Sequence, residues 1–348
     1  MERISVAVAG ATGYVGAELV RLLCAHPRVR LVALTSEQHA GSRMAAVYPS
    51  LRGRVDVVLE PLDPVAIAGR AEVVFAALPH GHSAAVVAAF LDQGRRVLDL
   101  SADFRLRDPE VYARWYAAHP VPRLLAEAVY GLPEFYAEAI RGARLVAVPG
   151  CYPTGTLLGT VPLLRGGCLD PDAIITVDAK SGATGAGRSA RTDLLFCEVD
   201  DSIRPYGIGV HRHTPEMEQE LSRAAGRPVP VLFAPHLLPI RRGILSTIYL
   251  RLARGITVDR CGQVFREAYA GAPFVDLLGA GTYPTLRDVQ GTNRCAVGWW
   301  GDDARGLLVV TTAIDNLGKG AAGQAVECLN LQLGCPRNTG LDQLAVVP

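Results

Sequence analysis

The chain has 348 residues, 49% of them apolar, and a formal net charge of +1. That length suits two domains with packed cores, and the balanced charge argues against nucleic acid or an anionic membrane as the main partner. No apolar run approaches the roughly 18 residues of a membrane span, and the eight cysteines form no C-x-x-C pair, which speaks against zinc or any other metal and against a disulfide framework.

Met1-Glu2-Arg3 leads straight into the first strand with no signal peptide ahead of it, so reduced thiols in the cytoplasm are expected. Strand-length apolar runs follow at 4–9, 29–35, 73–78, 97–100 and 145–148. Between the first two, Val15, Leu19, Leu22 and Leu23 recur at helical spacing. Alternating strands and helices predict a Rossmann-type, doubly wound parallel sheet over residues 1–149. The turn after the first strand reads Gly10-Ala-Thr12-Gly13-Tyr14-Val15-Gly16, a G-x-x-G-x-x-G variant of the dinucleotide fingerprint. Such glycines let backbone approach a pyrophosphate at a helix N-terminus. An NAD site places an acid about 20 residues further on. Here Thr35-Ser36 ends the second strand and Arg43 follows, a pattern that favours the 2′-phosphate of NADP, with Glu37 an awkward neighbour.

Residues 149–154 read Pro-Gly-Cys-Tyr-Pro-Thr, between the strand run 145–148 and a helix run over about 155–164. Gly150 permits a sharp turn and Pro153 suits a first helical turn. Cys151 is thereby expected at or just before a helix N-terminus, where exposed amides and partial positive charge stabilise a thiolate. A buried cysteine ahead of an ordinary helix is the commoner alternative.

The second half has long strand candidates at 174–179, 231–234, 244–252, 295–300 and 307–314. Its helices are few: about 215–225 with Thr214 as N-cap, about 261–269, and a last one at about 321–333. This predicts a second α+β domain, 150–316, with a mixed, largely antiparallel sheet, and the segment 317–348 returning to complete the first domain.

Taken together, seven segments resemble the N-acetyl-gamma-glutamyl-phosphate reductase family, in order and from end to end. They are 10–16, 99–105 (Asp-Leu-Ser-Ala-Asp-Phe-Arg), 149–154, 181–188 (Ser-Gly-Ala-Thr-Gly-Ala-Gly-Arg), 211–216 (His-Arg-His-Thr-Pro-Glu), 235–245 and 315–324. The first and last are shared with aspartate-semialdehyde dehydrogenases, which look like structural cousins. The resemblance implies NADPH-dependent reduction of an acyl phosphate to an aldehyde and phosphate, by a homo-oligomer (dimer or tetramer) in arginine biosynthesis. Aminoadipyl or aspartyl phosphate are alternative substrates, and a nucleotide sensor without turnover is the alternative class.

In that chemistry Cys151 is the nucleophile and forms a thioester, a better hydride acceptor than an acyl phosphate. A histidine suits the proton transfer near neutral pH. His211 and His213 point the same way in an extended segment, and position within the family pattern favours His211, leaving His213 to the substrate. Ser101 and Arg105 are candidates for the phosphate, Arg105 by parallel hydrogen bonds. The Ser181-Gly182 loop is a candidate for the cofactor and Arg188 for the substrate. Arg242 is the candidate for the free carboxylate, with Arg212 and Arg241 as competitors. Asn316 is the candidate for the nicotinamide amide. On the nucleotide side the expected contacts are Gly10, Thr12, Gly13, Tyr14, Val15, Gly16, Ser36 and Arg43.

Overall fold

The computed structural model describes residues 3–346. Met1 and Glu2, on which the expectation of no leader rests, and the last two residues of the 317–348 segment lie outside the described residues. The chain divides into two compact units, one ending at Pro149 and including Ala321–Asp342, the other containing Gly150–Gly320.

The first unit runs β1 (Ile4–Ala9), α1 (Tyr14–Leu23), β2 (Val29–Thr35), α2 (Met44–Val47), β3 (Leu59–Glu60), α3 (Pro64–Ala68), β4 (Val73–Ala76), α4 (Ser83–Asp92), β5 (Arg96–Asp99), α5 (Pro109–Trp115), β6 (Val129–Tyr130), α6 (Pro133–Gly142) and β7 (Leu145–Ala147). The strands lie in the order β3-β2-β1-β4-β5-β7-β6 and every pair is parallel. The doubly wound parallel sheet expected from the alternating pattern is present. β4 is buried at every position and β1 at all but its first, as strands covered on both faces require. Asp63 and Asp108 start α3 and α5: each carboxylate accepts the amides two and three residues on, ahead of a proline at the first helical position.

The second unit runs α7 (Cys151–Arg165), β8 (Ile175–Ser181), α8 (Phe196–Val199), β9 (Arg204–Pro205), α9 (Thr214–Ala225), β10 (Val231–Leu237), β11 (Ile244–Arg251), α10 (Val258–Ala268), β12 (Val275–Ala280), β13 (Cys295–Asp302) and β14 (Leu307–Ile314). Its sheet order is β12-β13-β14-β11-β8-β10-β9. Four pairs are antiparallel and two, β12 with β13 and β8 with β10, are parallel. The mixed sheet was expected; β12 was not. Along β8, β10 and β11 buried residues alternate with more exposed ones, so one face packs on helices and Leu232 and Tyr249 point outward. A single π-helical turn, Gly318–Ala322, leads from β14 toward α11 (Gly323–Gln332). Within the first unit α11 packs on α6, and Arg337 pairs with the buried carboxylates of Glu134 and Glu327 at 2.6 Å each.

Two boundaries differ from expectation. α7 begins four residues earlier than the run at 155, with Cys151 as its first residue as the turn at Gly150 implied, with Pro153 in the first turn and every position from Tyr152 to Leu163 buried. At the start of α9, His213 and not Thr214 holds the cap position, with no side-chain cap bond.

α7 also carries a proline inside it. Pro162 cannot donate to the carbonyl of Leu158, and the Tyr269 hydroxyl, at the end of α10, donates to that carbonyl instead. Tyr269→Phe is therefore expected to leave a buried acceptor unsatisfied and to cost about 1–3 kcal/mol. Urea unfolding of the variant, with the m value unchanged, measures this.

Candidate active site

Cys151 is the first residue of α7 and Gly150 is its N-cap. The Thr154 amide and hydroxyl donate to the Gly150 carbonyl at 3.0 and 2.9 Å, which closes the first turn. The Gly150 amide donates to Glu216 Oε1 at 2.8 Å, and Glu216 is 1% exposed. Cys151 and Tyr152 open the helix, at its N-terminal end, where partial positive charge favours a thiolate.

Both histidines lie beside this turn. A Cβ added at Gly150 would stand 2.5 Å from His213 Nε2, so His213 backs the turn itself. The His213 amide donates to His211 Nδ1 at 3.1 Å. That bond opposes a proton on Nδ1, so neutral His211 carries its proton on Nε2. His211 is ringed by Tyr152, Tyr206 and Phe233 at centroid distances of 5.5, 5.7 and 5.1 Å. Burial, helped by the Arg212 charge, lowers its pKa to about 4. The Tyr152 and Tyr206 hydroxyls share a hydrogen bond of 2.7 Å. Burial pushes Tyr206 up to about 12, partly offset by that bond and reinforced by Cys151.

A cavity of about 360 Å³ opens on Cys151, His211 and His213, and Ser181 and Gly182 line it as well. Its cationic wall consists of Arg191, Arg204 and Arg212, with Asp193 as the lone acid among the lining residues. Arg191 grips Asp193 through Nε and Nη2 at 3.0 and 2.8 Å, and Arg204 Nη2 reaches the same carboxylate at 3.2 Å. The sequence singled out neither Arg191 nor Arg204. No local pattern marks them; they meet Cys151 because the loop from Gly182 to His213 folds back over the helix start.

Other expected contacts are placed differently. Arg188 is exposed and is not among the lining residues. Arg242 lies against the buried Asp315: its Nε and Nη2 donate to Asp315 Oδ1 at 3.1 and 3.0 Å. Asn316 is held likewise. Its Oδ1 accepts the Gly243 amide at 2.8 Å and its Nδ2 donates to Thr184 Oγ1 at 3.0 Å, which ties it to the neighbouring loops.

In the first unit Ser101 donates to Asp99 at 2.6 Å and accepts the Asp103 amide at 3.1 Å, so its hydroxyl organises the loop. Burial raises Asp99 to about 6 against the hydrogen bonds from Ser101 and Ser83. Arg105 is buried, with Nε on the Val148 carbonyl at 2.7 Å and Nη2 on that of Leu100 at 2.8 Å.

The glycine turn of the first unit fits a dinucleotide phosphate. Gly10 has φ +80°, and a Cβ there would lie 2.4 Å from the Ala77 carbonyl oxygen; one on Gly16 would lie 2.2 Å from that of Gly10. Packing demands these two. Gly13, the N-cap of α1, is different: a Cβ there would meet nothing nearer than 3.7 Å. The space beside it is open to a ligand at the N-terminus of the helix that Tyr14 and Val15 begin. Thr12 Oγ1 and Ser36 Oγ lie 2.8 Å apart beside it. Glu37 is turned aside, accepting the Leu62 amide at 3.0 Å. Arg43 is paired with Asp56.

Comparison with known proteins gives matches along the whole chain. Residues 5–143 match the family model described as semialdehyde dehydrogenase, NAD binding domain, and residues 151–316 match that described as semialdehyde dehydrogenase, dimerisation domain. The N-acetyl-gamma-glutamyl-phosphate reductases of Geobacter metallireducens and Moorella thermoacetica are 51% and 53% identical, over 99% of this chain and 100% of theirs. Among solved structures, aspartate semialdehyde dehydrogenase II of Vibrio cholerae aligns with a TM-score of 0.73 at 20% identity, over 96% of this chain and 99% of that one. The Candida albicans enzyme with NADP aligns with a TM-score of 0.71 at 17% identity, over 97% of this chain and 100% of that one. At such identities the structural likeness speaks for the fold.

Proposed function

Since the chain belongs to the N-acetyl-gamma-glutamyl-phosphate reductase family, we infer that it reduces N-acetyl-gamma-glutamyl phosphate to the semialdehyde and phosphate through a thioester on Cys151. The observation that carries this reading is the convergence of Cys151, His211 and a wall of arginines on one cavity. The Cys151 thiolate, favoured at the start of α7, attacks the acyl carbon; the C–S bond forms and the bond to phosphate breaks. His211, neutral with its proton on Nε2, donates a hydrogen bond to the oxygen of the tetrahedral adduct, shares that proton while the negative charge is there and keeps it as the C=O re-forms, which is its acid–base role. When the reduced adduct collapses to aldehyde, the C–S bond breaks and Cys151 is released. The Arg191–Asp193–Arg204 group and Arg212 supply positive charge for an anionic substrate.

NADP is the cofactor, and when bound as NADPH it supplies the hydride that reduces the thioester. The first-turn amides of α1, the Thr12–Ser36 hydroxyls and Gly13 would hold it, and Arg43 would reach a 2′-phosphate by exchanging Asp56 for it. The first unit serves as the NADP domain, completed by the C-terminal segment, and the second as the catalytic and oligomerisation domain. A homo-oligomer in the cytoplasm is part of this proposal. It is supported by the matched dimerisation domain and by the outward Leu232 and Tyr249. Among the described residues no helix is long and apolar enough to cross a membrane.

Phosphate-dependent reduction of NADP and of NAD, with N-acetylglutamate, aspartate and aminoadipate semialdehydes, tests this reading. The expected result is turnover of the first aldehyde, with the higher kcat/KM on NADP. Preference for another aldehyde overturns the substrate. Equal use of NAD shows that Glu37 governs the ribose site, and NADP binding without turnover identifies a sensor.

A further inference from the structure

The second unit holds a buried polar hub that the chemistry above does not use. Asp315, at the end of β14, is fully buried. Its Oδ1 accepts the amides of Leu317 and Gly318 at 2.9 and 3.1 Å and its Oδ2 accepts the Gly291 amide at 2.6 Å. Arg242 neutralises it at 3.0 Å, and its main-chain carbonyl accepts the Gly320 amide at 2.9 Å. These bonds set the turn Gly318–Ala322, which is π-helical, a rare geometry found mostly as single turns at functional sites.

The turn presses on the nucleophile. A Cβ on Gly320 would lie 2.9 Å from Cys151 Cβ and 3.3 Å from its Cα. On the same turn, a Cβ on Gly318 would lie 2.1 Å from the Thr292 carbonyl oxygen, so the segment is backed closely by that residue. The preceding residue, Gly150, is already held by Glu216 and His213. Cys151 is thus fixed through its neighbour on one side and through its own Cα and Cβ on the other.

We propose that the Asp315-capped π-turn is the seat of the nucleophile, and that Gly320 and the Arg242–Asp315 pair are positioning residues that set where the Cys151 thiolate stands. The proposal rests on Cys151 being the nucleophile. It gives Arg242 an effect on the chemical step, where a carboxylate-binding arginine would act on substrate affinity. A displacement of about 1 Å at a reacting atom costs on the order of 10²-fold in rate.

The test compares Gly320→Ala and Arg242→Gln with the wild type in kcat, KM for the semialdehyde, and the rate of Cys151 alkylation by iodoacetamide followed by peptide mass analysis. Both variants are expected to lose kcat by about 10- to 100-fold, to keep KM within about twofold of wild type, and to change the alkylation rate. Arg242→Gln with kcat kept and a raised KM overturns the proposal and makes Arg242 a substrate contact. Wild-type kcat and alkylation in both variants overturn it as well. If Gly320→Ala does not fold, Arg242→Gln, which adds no volume beside Cys151, decides. If the wild type reduces none of the aldehydes, the functional reading fails, while the alkylation rates still judge the seat.

Discussion

Replacing Cys151 with serine is expected to lower kcat at least roughly 10⁴-fold while NADP binding is kept. The thiol ionises near neutral pH when a helix N-terminus faces it, whereas an alcohol in the same place stays protonated. The other cysteines offer no substitute: Cys168, Cys261, Cys295 and Cys328 are buried, and Cys24, Cys197 and Cys335 are not among the residues lining the cavity. Steady-state rates with cofactor titration measure both halves of the expectation, and a serine variant of near-normal activity sinks the thioester route.

His211→Asn is expected to lower kcat by about 10²–10⁴-fold, the usual range for lost acid–base help, and His213→Asn far less. The difference comes from the geometry. His213 lends its ring to the back of Gly150 and its amide to His211 Nδ1, which leaves His211 Nε2 for the reacting oxygen. A dead His213→Asn with a mild His211→Asn reverses the assignment. The same residue predicts a pH effect on stability. Burial holds folded His211 at about 4, below its unfolded value, so between the two values the unfolded chain binds the extra proton. Stability from this group is complete above about 6.5 and is lost as the pH falls through about 4. Urea midpoints at pH 7 and 4.5 should therefore fall further for wild type than for His211→Asn. Equal drops would show that His211 is not held neutral.

Periodicity made the two sheets legible, because strands covered on both faces and strands covered on one leave different patterns. Two-residue strands such as β3 and β6 left none, and β12 is broken by Asp276 and Gly279. The apolar run marked α7 only from about 155, while Gly150 and Pro153 pointed to its start at Cys151. Within the site, Cys151 was legible from its turn, while the two histidines were legible only through the resemblance, since spacing alone could not separate them. Arginines were not. A guanidinium on a long side chain takes its role from whichever acid folding brings near, and folding gave Asp315 to Arg242 and Asp56 to Arg43. It also carried Arg191 and Arg204 to the cavity from a stretch with no periodic signal.

The helix that begins with Cys151 is buried from Tyr152 to Leu163. Most of it is domain interior, and its tip is a half-buried thiol. The sulfur stands where it does only while Glu216, His213 and the turn at Gly320 hold that tip, so any loosening of these contacts changes its exposure first. The labelling rate of this single sulfur is therefore a built-in gauge of domain integrity. Read during heating or in dilute denaturant, it should report the onset of local opening before circular dichroism registers any loss of structure.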